Sequence, residues 1–179
     1  MDLRSPDRET KLNALEKLKQ LLLVKQGDTS YLEPLTGMLS ADDLEVRKSA
    51  SWCVGKLAQN KVMGAYPLDL LINLLKDDEP EVKENAVWAL GELPGMKIGL
   101  DSSIEPINQL LLDVSAEIRG MAAWALGRIA ERMGIGRSTS IPLLRKLMED
   151  PSKYVQKSAE WALARIMNLS SVGSGNIKT

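Results

Sequence analysis

Apolar residues recur along this chain in a pattern written four times. Val46, Ala50, Cys53, Val54 and Leu57 form the first copy, and Val82, Ala86, Ala89, Leu90 and Leu93 the second. Ile118, Ala122, Ala125, Leu126 and Ile129 follow, then Val155, Ala159, Ala162, Leu163 and Ile166. Steps of mostly four and three residues are the rhythm of one helix face. Each copy also holds one tryptophan in a fixed slot, Trp52, Trp88, Trp124 and Trp161, at intervals of 36, 36 and 37 residues. A period of this size carried by helices predicts a stacked repeat array.

A second, shorter pattern precedes each copy. Its apolar slots are Leu32, Leu35 and Leu39; Leu68, Leu71 and Leu75; Ile104, Ile107 and Leu111; and Ile141, Leu144 and Met148. The i, i+3, i+7 spacing predicts an amphipathic helix, with Pro34, Pro67, Pro106 and Pro142 in or near the first turn, where a missing N–H costs little. Acidic turns at Asp42-Asp43, Asp77-Asp78-Glu79, Asp113 and Asp150 join the two helices of each repeat and suit the N-terminus of the second. Gly64, Pro94-Gly95, Gly99, Gly134 and Gly136 lie between repeats, where they are expected to stop the second helix. Met63, Met96 and Met133 recur in the same loops and are expected to fill gaps between repeats. The expected repeats span about 30–60, 66–94, 102–132 and 139–168. Residues 7–24, with Leu12, Leu15, Leu18 and Leu22, predict a capping helix, and the small polar residues 170–179 a disordered tail.

A helical wheel separates two faces. With Val46 at zero, the apolar stripe falls within about 80° of it, and Trp52 near 240°. Beside the tryptophans stand Lys48, then Glu84 and Glu92, then Arg128, then Arg165. A large aromatic among charges is a candidate binding residue, because tryptophan offers much apolar area with few rotatable bonds. The competing expectation is structural, each indole crossing to a neighbouring repeat and covering charged side-chain stems. Small residues at the Ala50 and Gly55 slots are expected to let helices approach closely, with about 8–10 Å between axes.

Composition narrows the chemistry. The 179 residues are 44% hydrophobic and 26% charged, as expected of a globular protein rather than a disordered one. A net charge of −1 gives no general attraction to nucleic acid or anionic lipid, and the mixed charges beside the tryptophans predict no salt-sensitive nucleic-acid binding. There is no apolar run of the length a membrane helix needs and no cleavable apolar leader. A single cysteine, Cys53, suits a reducing cytoplasm and is expected to be a buried, inert thiol. Histidine is absent, which removes the commonest general base and metal ligand. No catalytic, cofactor-binding or metal-binding residue is therefore assigned.

Acidic turn, Val-Arg, Ala and Ala-Leu-Gly, repeated in this order over roughly 30–168, resemble the HEAT repeat, specifically the short type of phycobilin-lyase-like proteins. Tetratricopeptide repeats fit less well, since Gly follows Trp here by three residues and Phe is absent; armadillo repeats are longer. The resemblance implies an all-α fold, a right-handed α-solenoid of about four helix pairs behind a capping helix. It implies that Arg47, Lys83 and Arg119 pair with acids of the preceding turns, Asp42, Asp78 and Asp113, in a ladder linking repeats. It also implies that the second helices line a concave groove holding partners.

The expected function is a scaffold that binds a protein or peptide at Trp52, Trp88, Trp124 and Trp161. The flanking Lys48, Glu84, Glu92, Arg128 and Arg165 would orient the partner by charge. An enzyme or accessory subunit of the bilin-lyase kind is the alternative, by resemblance alone. Glu160 replaces the small residues Ser51, Val87 and Ala123, and Gln156 the basic residue of the ladder. A charge in that slot predicts that the array ends near Leu169 and that the chain is monomeric at that end.

Overall fold

The computed structural model describes the backbone of residues 2–171 and 177–178. Among them are nine α-helices and two short strands. Two compact units divide the chain, Met1–Ala89 and Leu90–Thr179.

The first unit contains α1 (Arg8–Leu23), α2 (Leu32–Met38), α3 (Leu44–Gln59), α4 (Leu68–Leu74) and most of α5 (Pro80–Glu92). Local chemistry starts α1 and α3. The Asp7 carboxylate accepts from the Thr10 N–H at 2.8 Å, and Asp43 from the Val46 N–H at 3.1 Å, which satisfies donors that have no partner inside the helix. The core is the stripe read from sequence: Leu15, Leu18, Leu22, Leu35, Leu39, Ala50, Cys53, Val54 and Leu57 are all at 0% exposure. Leu12, expected on the α1 stripe, is only half-buried. A buried polar set adds direction to this packing. Asn85 of α5 donates to Ser51 Oγ at 3.2 Å and to the Lys48 carbonyl at 3.3 Å, both on α3. Burial pushes the Cys53 thiol up to about 12, so no thiolate forms near neutrality.

The second unit continues through a 3-10 turn at Leu93–Met96 to α6 (Ile104–Leu110), α7 (Ala116–Met133), α8 (Ser140–Leu147) and α9 (Lys153–Ser171). Ser115 caps α7 through the Ile118 N–H at 3.3 Å. Ile107, Leu111, Ala122, Ala125, Leu144, Val155, Ala159 and Ala162 are fully buried. On α8 one expected core slot departs from expectation: Met148 is 44% exposed, whereas Leu39, Leu75 and Leu111 in the same slot are buried. Met148 keeps right-handed helical torsions at the end of α8, as Leu39, Leu75 and Leu111 do at the ends of α2, α4 and α6, so its exposure does not come from leaving the helix. Met63 is 63% exposed and fills no gap. Between α6 and α8, Ser140 donates to Asn108 Oδ1 at 2.8 Å and Thr139 to Glu105 Oε1 at 2.6 Å. Glu160 on α9 is exposed, whereas Ser51, Val87 and Ala123 in the same slot are at 0%.

The tail expected over 170–179 differs where it is described. Ser170 and Ser171 extend α9, and Ile177–Lys178 pairs in parallel with Gly136–Arg137. Residues 172–176 and 179 lie outside the described residues.

Helix termination follows a rule the sequence did not disclose. Lys25, Lys61 and Lys97, spaced by 36 residues, adopt φ of 59°, 60° and 62°, and Gly134 takes the equivalent place with φ 68°. After the first three, the next residue closes the turn: Gln26 donates to the Leu21 carbonyl at 2.8 Å, Val62 to Leu57 at 3.0 Å and Ile98 to Leu93 at 3.2 Å. Such left-handed caps favour glycine, yet of the glycines expected to stop helices only Gly134 has positive φ. A lysine charge is favourable near helix carbonyl ends, and the Lys97 ammonium donates to the Arg132 carbonyl at the end of α7. Replacing exposed Lys61 by glycine should therefore raise stability by about 0.5–1 kcal/mol in urea unfolding. A loss of stability would mean the lysine charge outweighs its backbone strain.

Candidate protein-binding face

The four tryptophans are half-buried, each on a second helix. What holds three of them is the glycine slot of the preceding repeat. In the first unit, a Cβ added at Gly55 would stand 2.5 Å from Trp88 Cε3. In the second, one at Gly91 would stand 2.3 Å from Trp124 Cζ3, and one at Gly127 2.2 Å from Trp161 Cζ3. Each glycine is thus a bare patch of helix that seats the next indole. The Gly55 slot, expected to let helices approach closely, does so here by admitting an indole. The indoles cross between repeats, as the structural expectation had it, while part of each remains open to solvent.

Within the first unit, Trp52 and Trp88 lie 6.4 Å apart between ring centroids and tilted by 46°, closer than the ~10 Å repeat spacing would suggest. Lys48 beside them is committed, its Nζ 2.7 Å from Glu81 and 3.6 Å from Glu45. Glu84 is half-buried on α5.

In the second unit, Trp124 and Trp161 line one open cleft of about 610 Å³, together with Glu92, Arg128, Lys157 and Ser158. Arg128 lies 5.7 Å over the Trp124 ring and Arg165 4.5 Å over Trp161, cation–π contacts one helical turn apart in sequence. Glu92, expected with Glu84 as an acidic stretch, instead faces Arg128 at 3.7 Å. Glu131, unnoticed in the sequence, joins this set: it lies 3.7 Å from Arg128, 3.1 Å from Arg132 and 3.7 Å from Arg165. Ser158 was also missed, since a serine among charged residues carries no signal of its own.

The basic ladder forms, but toward the opposite neighbour. Arg47 donates through Nε and Nη2 to Asp77 of the following turn, at 2.7 and 3.3 Å, and through Nη1 to the Ala41 carbonyl at 2.7 Å. Arg119 repeats this geometry on Asp150, at 2.8 and 2.9 Å, and on the Asp113 carbonyl at 2.9 Å. Asp42, expected to pair with Arg47, is exposed and accepts from it through its carbonyl at 3.4 Å; Asp78 is exposed; Asp113 Oδ1 accepts from the Ser115 N–H at 2.9 Å. Lys83 is half-buried in the same slot. The preceding turn presents backbone carbonyls, so one edge of the guanidinium is used there and the other reaches the next repeat. Gln156 keeps only the local half, donating to the Asp150 carbonyl at 2.6 Å.

Two predictions follow from these contacts. Gly91→Ala should destabilise by about 1–3 kcal/mol through overpacking against the rigid Trp124 ring. In a Trp124→Ala background the same change should become neutral or stabilising by up to ~1 kcal/mol, because alanine favours the helix. Additive effects in that double-mutant cycle would show that the indole does not depend on the glycine. The second concerns acid. The Arg119 bond, opposed by burial, holds the Asp150 carboxyl below its ordinary 3.8. For Asp77, burial pushes the value up, but the Arg47 and Glu79 N–H bonds outweigh it and the net shift is also downward. A depressed native value stabilises the fold above pH ~4 and loses that contribution as pH falls through it. Asp150→Asn should cost about 1–3 kcal/mol at pH 7, and its thermal stability should fall less steeply than the parent's between about pH 5 and 2.5. Parallel pH curves would remove Asp150 from the acid response.

Comparison with known proteins agrees with this geometry. The family of HEAT repeats matches residues 68–164, more than half the chain. The family of non-SMC mitotic condensation complex subunit 1 matches residues 11–100. No curated protein sequence matches. A designed armadillo repeat protein in complex with the peptide (KR)4 is 30% identical, with a TM-score of 0.73, over 91% of this chain and 78% of that one. A computationally designed armadillo repeat protein for modular peptide recognition is 27% identical, with a TM-score of 0.72, over 97% and 86%. The complex of CpcE and CpcF of phycocyanin lyase from Nostoc sp. PCC7120 shares the fold at 20% identity and a TM-score of 0.69, over 93% and 62%. No helix of the described residues is long and apolar enough to cross a membrane. With its tandem helix pairs, recurrent Trp–Gly seats and Arg–Asp links between repeats, the chain is an all-α repeat solenoid and belongs to the HEAT-repeat family.

Proposed function

We propose that this chain is a non-catalytic scaffold that binds a protein or peptide along the tryptophan-bearing face of its second helices. The observation that carries this is the cleft of the second unit, where two half-buried indoles stand in one open space with Arg128, Lys157 and Glu92 at its walls. Such a surface combines desolvated aromatic area with charges that fix orientation, the combination that concentrates binding energy at interfaces. The designed armadillo proteins it resembles include one in complex with a peptide and one made for modular peptide recognition, which supports the same use here. The lyase alternative has no comparable support, because the likeness to phycocyanin lyase extends to the fold alone.

Selection of a displayed random peptide library against the intact chain tests the proposal. Isotope-labelled protein then reports through its four indole N–H resonances, assigned with single Trp→Phe variants. Selected peptides should shift the Trp124 and Trp161 signals in a saturable way. Peptides that bind while leaving every indole signal in place would overturn it.

A further inference from the structure

Lys157 occupies the same slot in the fourth repeat as Lys48 in the first, and the two have opposite surroundings. Lys48 is covered by two carboxylates, Glu81 at 2.7 Å and Glu45 three residues earlier at 3.6 Å. In the fourth repeat Tyr154 stands where Glu45 stands in the first, so the carboxylate one turn back is gone. Among the described residues no ion pair forms at Lys157, which is exposed at the wall of the cleft. Its companions there are Arg128, Glu92, Ser158 and the two indoles. Glu92 faces Arg128 across 3.7 Å, which offsets one charge and leaves the lysine as the excess cation.

Resting on the binding face proposed above, we infer that this cleft takes an extended acidic–apolar peptide segment. A carboxylate of the segment pairs with Lys157 and accepts from Ser158, while the adjacent apolar side chain lies against Trp124 and Trp161. Charge complementarity selects this occupant over a basic one. A lysine or arginine brought to the cleft would meet Lys157 unscreened, and the single carboxylate present already has a partner. The partly desolvated aromatic walls strengthen the ion pair relative to one on an open surface.

The test uses capped synthetic peptides of alternating Asp or Glu with Leu, Val or Tyr, and counterparts with every acid replaced by Lys or by Gln. Binding to the intact chain is measured by calorimetry at about 50 and 300 mM salt, with the indole resonances as the reporter of place. Acidic–apolar peptides should bind at least about tenfold more tightly than either counterpart, more weakly at the higher salt. Lys157→Glu should reverse the preference, and Lys157→Gln should weaken the acidic peptides while leaving the melting temperature unchanged. Basic or neutral peptides that bind best and shift Trp124 and Trp161 would overturn the acidic assignment and leave the binding face standing. Acidic peptides that bind without moving those indoles, or no binding by any peptide, would overturn both.

Discussion

The three helices α5, α7 and α9 must each seat an indole on a neighbour that has no side chain in the way. A flat ring cannot fold aside as a leucine or methionine does, and the space above Gly55, Gly91 and Gly127 is smaller than one methyl group would need. Glycine inside a helix costs roughly 0.5–1 kcal/mol in conformational freedom relative to alanine. The array accepts that cost in three helices because each glycine fixes how the next tryptophan lies. The same contact leaves each of these tryptophans half-buried, so one side of the residue packs and the other stays open to solvent.

Charge is divided between two tasks. Arg47 and Arg119 are largely buried and spend their donors on backbone carbonyls of one turn and a carboxylate of the next. The fork of a guanidinium matches both at once, which a lysine ammonium cannot do with two fixed edges. These links orient one repeat on the following one and leave little charge for a partner. The cations of the second-helix face are placed differently. Arg128 and Arg165 lie over aromatic rings and share Glu131, whereas Lys157 stands exposed at the cleft. On the proposed reading, a binding preference would be set by the few charges the ladder does not consume.

The sequence by itself determined the helices, their pairing into repeats and the core. A period near 36 with a helical apolar rhythm admits no other way to bury Val46, Ala50, Val54 and Leu57 and their counterparts. It also placed the tryptophans off the core stripe, because angular position on a helix follows from residue number alone. The tertiary structure decided what no periodicity encodes. It showed that Arg47 and Arg119 reach forward to Asp77 and Asp150, since both turns carry acids and only distance selects between them. It showed that lysines at 25, 61 and 97 close the helices, since backbone torsion is invisible in a residue that usually avoids it. And it showed that Lys157 and Ser158 share a cleft with Trp124, because residues of two separate helices become one surface only when the repeats stack.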